Sequence, residues 1–370
     1  MKHLTRFLCI GLLAMAFAAC EKDPDPVNPD PVNPDPVNPD PVNPDPVDPD
    51  PVDPATTFAL LLNEGSDNNA AISYLNTTTG EIDNAWFQNA NGRSLGSNAQ
   101  DMVAYGSKVY VTVTESNSLE VIDPTTGKSQ RVDMHGRKPR HIATHNGNLY
   151  ITCYDKSVAC IDTATLSLVA TCPLGNFRPE GIAIANGKAF VASSWELNGN
   201  YTVYDSTLYV IDLTTFSNPT AITVGMNLQR VYKLDENHII LTWTGNYGDI
   251  PAGTAIIDAT TLDITPTSKP LSKLVVYNGM LYGYATEYDE NYNETATFRV
   301  IDATGVAQSF PFTPVISNNA YGFNIDPNTG NIYITSSDYM TNGDLYSFTP
   351  SGSLRFKVET AMNPSTMLFF

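Results

Sequence analysis

The sequence predicts an all-β protein, a seven-bladed β-propeller closed by pairing of its C-terminal strand with its N-terminal blade. Three observations predict this fold. From Thr57 onward short apolar strands alternate with turn residues, and no apolar stripe has the period of a helix. A four-strand unit recurs at the spacing typical of propeller blades. The first unit has no inner strand, whereas the chain ends in a strand with nothing after it.

The repeat is marked by an aliphatic pair followed by an acidic residue and a polar turn. The copies, two of them degenerate, fall at Asn76, Asp123, Asp162, Asp212, Asp258, Asp302 and Thr349. Successive copies are 47, 39, 50, 46, 44 and 47 residues apart. A second marker, an aromatic or aliphatic strand often led by a turn pair such as Asn146-Gly147, precedes each copy and indicates a hairpin. Each unit is therefore predicted to be a four-stranded meander, which buries both faces only when units stack radially.

The chain ends predict how the ring closes. The first unit starts directly at Phe58, and the residues from Asn363 to Phe370 look like a spare inner strand. Together they complete one blade and leave no exposed edge strand. The predicted propeller spans residues 57–370, and its inner strands are expected to begin near Asn98, Lys138, Arg178, Asn227, Lys269, Asn319 and Asn363.

The first nineteen residues have the features of an export signal. Lys2 and Arg6 precede a thirteen-residue apolar run, Phe7 to Ala19, which is too short to span a bilayer. Small residues followed directly by Cys20 resemble a bacterial lipobox, so residues 1–19 are predicted to be a lipoprotein signal peptide and Cys20 the lipidated N-terminus. A plain secretory signal is the alternative. The acidic residues after Cys20 resemble an export tag for the outer face of the outer membrane.

Residues 20–56 are predicted to form a disordered, extended stalk. Between residues 21 and 54 there are thirteen prolines, ten acidic residues and one lysine. Proline removes the amide donor and disfavours helix before it, which leaves polyproline II as the regular conformation. Recognition of this segment by a proline-binding domain is the alternative interpretation. The remaining 316 residues carry 29 acidic and 17 basic side chains, which argues against nucleic-acid binding and against adhesion to anionic lipid.

Propeller geometry places the inner-strand starts and the loops between second and third strands on one face. That face is rich in Trp and Tyr beside amide and guanidinium groups, which suits a flat amphipathic ligand. The alternative is that these aromatics only cap the blades. The predicted ligand-binding residues are Asp67, Asn69, Gln100, Arg140, His141, Arg178, Glu180, Trp195, Tyr201, Arg230, Trp243, Tyr247, Tyr288, Tyr292, Tyr321 and Tyr339.

Other chemistry is weakly indicated. His141 and His145 have a spacing that suits a metal on a helix but not on a strand, so no metal site or catalytic cofactor is expected. Asp101 and Glu180 could act as paired carboxylates of a glycosidase, although nothing in the sequence fixes their separation. The acidic loop from Tyr288 to Glu294 lacks the ordered spacing of a calcium loop. Three cysteines within one blade are expected to be buried thiols: Cys153, Cys160 and Cys172. The protein is predicted not to be an enzyme.

Several segments resemble the YncE-like, DUF5074-type propeller lipoproteins of Bacteroidetes. They are Leu62 to Gly65, Asn68 to Tyr74, the segment from Tyr105 to Tyr110 and the repeated Val-Ile-Asp blades. The resemblance extends over roughly residues 57–370 and implies the propeller fold. One branch of that family, BtuG, captures corrinoids such as vitamin B12 at the cell surface and passes them to a TonB-dependent transporter.

This resemblance implies a surface lipoprotein of the outer membrane, held in the membrane by its lipid anchor only. Its expected ligand is a corrinoid (cobalamin or cobinamide), bound as cargo on one propeller face, and its expected partner is a TonB-dependent transporter. The first alternative is a glycan-binding protein of a carbohydrate-uptake system, and the second is a glycosidase that uses Asp101 and Glu180.

Overall fold

The computed structural model describes residues 58–288 and 294–370. The predicted signal peptide, the lipidation site Cys20, the stalk and the predicted binding residue Tyr292 lie outside these residues. Within them, no helix has the length and apolar character needed to cross a membrane.

The described residues form seven antiparallel sheets, which we number as blades 1–7 in chain order. Blade 1 contains β1 (Phe58–Asn63), β2 (Ala71–Asn76) and β3 (Ile82–Asp83), and a short helix α1 (Trp86–Asn91) follows it. Blade 2 contains β4 (Ala99–Tyr105), β5 (Lys108–Val113), β6 (Ser118–Ile122) and β7 (Ser129–Asp133). Blade 3 contains β8 (Pro139–His145), β9 (Asn148–Cys153), β10 (Ser157–Asp162) and β11 (Leu168–Pro173). Blade 4 contains β12 (Arg178–Ala185), β13 (Lys188–Asn198), β14 (Tyr201–Tyr204), β15 (Thr207–Asp212) and β16 (Thr220–Thr223).

The remaining strands repeat the same meander. Blade 5 contains β17 (Leu228–Lys233), β18 (His238–Trp243), β19 (Gly253–Asp258) and β20 (Ile264–Pro266). Blade 6 contains β21 (Lys273–Tyr277), β22 (Met280–Tyr288), β23 (Glu294–Ile301) and β24 (Ala307–Ser309). Blade 7 contains β25 (Asn319–Ile325), β26 (Ile332–Ser337), β27 (Asn342–Phe348) and β28 (Leu354–Met362). The last strand, β29 (Pro364–Phe369), returns to blade 1.

The C-terminal strand closes the ring as predicted. β29 pairs with β1 in antiparallel register, with Ala59 opposite Phe369 and Leu60 opposite Leu368. The order in blade 1 is therefore β29-β1-β2-β3. Its inner strand is the last strand of the propeller, and its other three strands are the first three. This pairing confirms the predicted seven-bladed, closed, all-β fold.

In the described residues the apolar core consists of seven clusters, one at each interface between neighbouring blades. On β5, Val109 and Val111 belong to the cluster between blades 1 and 2, whereas Tyr110 belongs to the cluster between blades 2 and 3. Successive side chains of a strand point to opposite faces, so a blade buried on both faces needs a continuous apolar strand. The cluster that includes Leu61, Tyr333 and Met367 joins blade 7 to blade 1.

Buried threonines in second strands link each of three blades to the next. The Thr152 hydroxyl on β9 donates to the Glu180 carbonyl oxygen of blade 4 at 2.6 Å and accepts the His141 N–H at 3.0 Å. The Thr335 hydroxyl on β26 donates to the Pro364 carbonyl oxygen at 2.5 Å, and Thr112 on β5 makes the equivalent bond to blade 3. These bonds satisfy inner-strand backbone groups that a regular ladder would pair.

The acidic residue of the repeat marker has a structural role on the face opposite the inner-strand starts. The Asp123 carboxylate accepts the Thr125 N–H at 3.0 Å, the Thr125 hydroxyl at 2.6 Å and the Thr126 N–H at 3.2 Å. The equivalent turns after Asp162 and Asp258 are capped in the same way. The marker recurs because a side-chain oxygen at this position, from Asp in five of the seven copies, accepts backbone N–H groups of the turn.

The helix α1 and the loop after it were not predicted from the sequence. The connection between blades 1 and 2 is held by Glu120, which is fully buried on β6. Its carboxylate accepts bonds from Arg93 at 2.9 and 2.8 Å, from Arg131 at 2.5 Å and from Ser129 at 2.5 Å. A buried carboxylate needs such partners, and here they tie the connecting loop to the outer strands of blade 2.

The described residues include all seven inner strands. Six of these strands have an irregular register near their starts. The breaks fall between Ala99 and Asp101 on β4, between Pro139 and Ile142 on β8, and between Pro179 and Ile182 on β12. Corresponding breaks occur in β17, β25 and the β1–β29 pair. The exception is β21, which begins at Lys273, four residues later than expected from Lys269, and pairs without a break. A β-bulge redirects the side chains around it, and these bulges surround the central channel.

Candidate functional site

The inner-strand starts and the loops between second and third strands lie on one face, which we call the loop face. The central channel opens on this face into a cavity of about 360 Å³ lined by inner strands of all seven blades. Its polar lining includes Asp101, His141, Arg230, Lys273 and Tyr321. Each comes from a different blade, which explains why no local sequence motif could reveal the site.

His141 lies between two carboxylates at the channel mouth. Its Nδ1 is 3.6 Å from Asp101 Oδ2, and its Nε2 is 3.5 Å from Glu180 Oε2. Arg140 Nε and Nη2 donate to Glu180 Oε2 at 3.0 and 2.7 Å. Arg230 contacts His141 Nδ1 and lies 3.7 Å from Asp101 Oδ1. The two predicted carboxylates are therefore brought together in one network, through the histidine and two arginines.

This network keeps both carboxylates ionised. Burial opposes ionisation of Asp101, but Arg230, His141 and the Ile142 N–H at 2.9 Å together lower its pKa to about 2. Burial likewise opposes ionisation of Glu180, yet Arg140 and His141 hold the pKa of that carboxyl below its ordinary value. At neutral pH the mouth thus contains two carboxylates that carry charge and accept hydrogen bonds.

A ladder of stacked cations and rings leads outward across blades 3 and 4. The Arg140 guanidinium lies 4.7 Å from the centre of the Tyr154 ring, and Arg178 lies 5.2 Å from that ring and 4.3 Å from the Trp195 ring. The Tyr154 hydroxyl donates to Glu180 at 2.6 Å. Such cation–π contacts fix the orientation of the guanidinium groups at the rim.

A second group of aromatic residues, which we call the tyrosine arc, crosses blades 4–7. Its members are Tyr204, Tyr247, Tyr288, Tyr339 and Tyr321. The rings of Tyr204 and Tyr247 meet edge to face at 6.0 Å, and those of Tyr321 and Tyr339 do so at 5.7 Å. In blade order Tyr288 stands between these pairs, at the end of β22 in blade 6. The arc therefore runs from the rim to the channel.

The inner end of the arc is fixed by hydrogen bonds. The Tyr321 hydroxyl donates to Glu64 at 2.7 Å, and the Gln100 amide donates to the same carboxylate at 3.4 Å. Burial and Glu64 raise the pKa of Tyr321. The Tyr339 hydroxyl donates to Glu294 at 3.3 Å, and burial together with that carboxylate raises its pKa to about 12. These phenols stay protonated at neutral pH.

The outer part of the loop face leaves aromatic surface in water. Tyr201, Tyr247, Tyr288 and Tyr339 are 79, 70, 59 and 49% exposed, respectively, and Met340 beside them is 82% exposed. Exposed aromatic surface on this scale, beside polar groups, marks a surface suited to binding. The β13–β14 and β22–β23 hairpins carry two of these tyrosines beyond the four-stranded part of their blades.

The predicted binding residues are not all equivalent. Besides Tyr288, ten of them, all in the described residues, belong to the channel network, the ladder or the arc: Gln100, Arg140, His141, Arg178, Glu180, Trp195, Arg230, Tyr247, Tyr321 and Tyr339. Tyr288 also belongs to the arc, and Tyr201 stands at the tip of the β13–β14 hairpin. Asp67 and Asn69 are exposed on the β1–β2 loop, where the Asn69 side chain accepts the Ser66 N–H at 2.7 Å.

Trp243 fills a structural position. This agrees with the alternative interpretation, in which the aromatic residues of this face only cap the blades. Its indole packs against the cluster between blades 4 and 5. A Cβ atom at Gly225 or Gly253 would come within 2.2 or 2.1 Å of that ring, so both glycines make room for it. The same alternative does not account for the exposed members of the arc.

Four residues of the site were missed by sequence reasoning. Tyr154 and Glu64 are loop residues whose roles depend on partners from other blades. Lys273 and Tyr232 line the cavity from β21 and β17. For Lys273 a signal was available, because an inner-strand start was expected four residues earlier, at Lys269, and the true start also carries a lysine.

The expectation that no metal site exists stays a prediction. His141 faces the channel, whereas His145 lies at the other end of β8, about 13 Å along the strand. Within the described ranges, no group of three or more His, Cys, Asp or Glu side chains could hold a metal ion. The three cysteines of blade 3 are buried free thiols, as expected: Cys153, Cys160 and Cys172.

Comparisons with known proteins agree with this fold. The family model described as a domain of unknown function, DUF5074, matches residues 58–242, half of the chain. A quinonprotein alcohol dehydrogenase-like protein from Bacteroides thetaiotaomicron is similar in structure, with 14% identity, a TM-score of 0.62 and coverage of 84% of this chain and 78% of that one. A candidate 6-phosphogluconolactonase from Bacteroides uniformis has 13% identity, a TM-score of 0.57 and coverage of 85% and 100%. Dihydro-heme d1 dehydrogenase NirN has 14% identity, a TM-score of 0.54 and coverage of 85% and 75%. Among curated proteins, none matches the sequence.

Proposed function

The chain belongs to the DUF5074 family, and we propose that it is a non-enzymatic ligand-capture protein whose loop face binds a flat, amphipathic small molecule. The observation that carries this proposal is the pairing of the tyrosine arc with the charged and amide groups of the channel mouth. The arc offers apolar ring surface on blades 4–7, and the ladder offers fixed guanidinium groups on blades 3 and 4. A ligand with an apolar body and a polar fringe would satisfy both.

The site is suited to tight capture because its parts are already held in place. Tyr321 is fixed by Glu64, and Arg140 is fixed by Glu180. A preformed site pays little ordering cost when the ligand binds, which favours affinity without any chemical step.

Within this proposal a corrinoid is the favoured ligand, since a corrin is a flat apolar ring fringed with amides. The lipid anchor at Cys20, the stalk and the outward position on the outer membrane would present the propeller to such a ligand. A TonB-dependent transporter would then receive the cargo. These parts of the proposal rest on the resemblance drawn from the sequence.

The test is a calorimetric titration of the protein with cobalamin and cobinamide. Stoichiometric binding is expected, and Tyr339→Ala should weaken it at least tenfold, because truncating a central aromatic anchor costs about 2 kcal/mol or more. Val169→Ala, which alters an exposed residue on the outer strand of blade 3, is the matched control and should bind as the wild type does. Absence of heat with both corrinoids would reject the corrinoid assignment.

A surface glycan-binding protein is the second candidate. Tyr201 stands at a hairpin tip and Tyr247 on the neighbouring blade, both with exposed rings, as an extended sugar chain would require. Retardation on polysaccharide affinity gels, lost in Tyr201→Ala, together with no response to cobalamin, would favour this candidate over the first.

The glycosidase alternative has less support. A glycosidase needs one protonated carboxyl group as general acid, and Asp101 and Glu180 both have lowered pKa values. Their carboxylates are engaged by His141 and two arginines. We expect no glycoside turnover, and activity that disappears in Glu180→Gln would contradict this expectation.

A further inference from the structure

The channel cavity contains more positive than negative charge. Of the charged groups on its walls, Asp101 is engaged by Arg230, by His141 and by the Ile142 N–H. Within the part of the chain that the structure describes, Lys273 forms no ion pair with a carboxylate. Its Nζ lies 5.9 Å from the centre of the Tyr321 ring.

The carboxylates that act electrostatically on Lys273 are engaged by other groups. Glu64 accepts bonds from Tyr321 and Gln100, and Asp101 accepts the Ile142 N–H and faces Arg230. Among the described residues the lysine therefore has no ion-pair partner of its own, while Arg230 adds a cation to the same walls and Lys233, also on the walls, is paired with Glu236.

The lysine environment favours the arrival of an anion. Burial, followed by the neighbouring Arg230 guanidinium, lowers the pKa of the Lys273 ammonium. An unpaired cation in such a place is destabilising, and a bound anion would relieve both the desolvation and the repulsion between the two cations.

We infer that the channel cavity is a subsite for an anionic group, a phosphate or a carboxylate, held between Lys273 and Arg230. The inference rests on the proposed function, because it names the part of the captured ligand that enters the channel while the apolar body lies on the tyrosine arc. Two cations from adjacent blades, with a volume of about 360 Å³ between the inner strands, suit a compact anion.

The direct test uses inorganic phosphate and acetate as probes on the whole protein, at constant ionic strength with chloride as the reference salt. One saturable site is expected, and at saturation the unfolding temperature should rise above that in chloride. Lys273→Met should weaken binding of the preferred probe about tenfold or more, since a charge-assisted hydrogen bond contributes that much. Lys273→Arg should keep affinity within about threefold.

Two controls separate a binding role from a structural one. Lys269→Met removes an exposed lysine from the connection just before β21 and should leave phosphate affinity unchanged. Without any probe, Lys273→Met should unfold at a higher temperature than the wild type, because it removes a half-buried ammonium that lies near the Arg230 guanidinium and forms no ion pair within the described residues. A variant that folds less well than the wild type would contradict the inference.

The inference and the proposed function can fail separately. If neither phosphate nor acetate binds saturably, or if either binds equally to wild type and Lys273→Met, the anion subsite is wrong, whatever amphipathic ligand the loop face takes. If a small anion binds at Lys273 but no corrinoid or glycan does, the subsite stands and the capture proposal is wrong.

Discussion

Asp101 should contribute to stability through its charge, and the contribution should vanish in acid. Its carboxylate accepts the Ile142 N–H from blade 3 and faces Arg230 from blade 5, so it connects three blades across the channel. Asp101→Asn keeps the size of the side chain but removes the charge, as protonation would.

The magnitude follows from the pKa. Lowering the pKa of Asp101 from 3.8 to about 2 stabilises the folded state by about 2 kcal/mol at neutral pH. Because the folded-state pKa lies below the unfolded value, this stabilisation is fully present above about pH 5. It is lost as the pH falls through 3.8 toward 2.

The assay is urea unfolding of wild type and Asp101→Asn at several pH values between 7 and 2.5. The free energy of unfolding should differ by about 2 kcal/mol at pH 7, and the difference should shrink steadily below pH 5. Asp67→Asn, at an exposed position on the same face, is the control and should stay within about 0.5 kcal/mol of the wild type. A difference that persists unchanged to pH 2.5 would refute the argument, because the loss would then come from the fit of the amide.

Three further outcomes are expected. Thr152→Val should lower the free energy of unfolding by about 1–3 kcal/mol in urea titrations, because it leaves the His141 N–H and the Glu180 carbonyl oxygen without the Thr152 hydroxyl. An effect no larger than that of the exposed Thr171→Val would contradict this. Glu120→Ala should cost about 3–5 kcal/mol in the same assay by stranding two arginines, whereas Glu115→Ala, which breaks an exposed pair with a lysine, should cost less than about 1 kcal/mol. Burial raises the pKa of each of the three thiols of blade 3, Cys153, Cys160 and Cys172. A thiol reagent should therefore label them only after unfolding. Rapid labelling of the native protein would contradict their burial.

The blade plan could be predicted because it depends on local patterns. The aliphatic pair before Asp123 reflects a strand buried on both faces, and the Asp itself closes the following turn. The closing strand was visible because Phe58 starts a unit without an inner partner. The helix α1 could not be predicted, since six residues with one fully buried apolar side chain, Phe87, leave no periodic stripe.

The site could be predicted only in part because its geometry depends on contacts between blades. The sequence indicated which residues begin the inner strands, and so it found Arg140, His141 and Arg230. It could not indicate that Trp243 packs against the core, since the glycines that admit the ring lie elsewhere, Gly225 in the connection from blade 4 and Gly253 on β19. It indicated a lysine at the start of this inner strand but placed it at Lys269, because only the register of β21 decides that Lys273 faces the channel.

The bulges explain how one strand can serve both the scaffold and the site. A regular inner strand would send alternate side chains into the two neighbouring blade interfaces, as Met102 and Val103 do on β4. Gln100 and Tyr321 face the channel mouth from places where that alternation breaks, whereas Lys273 reaches the cavity from the first residue of β21, which pairs without a break. Substitutions at the bulges should therefore change binding while the blade interfaces remain intact. Asp101 is the instructive exception, since it lies beside a bulge and also accepts a backbone N–H from the next blade, so that its replacement must affect binding and stability together.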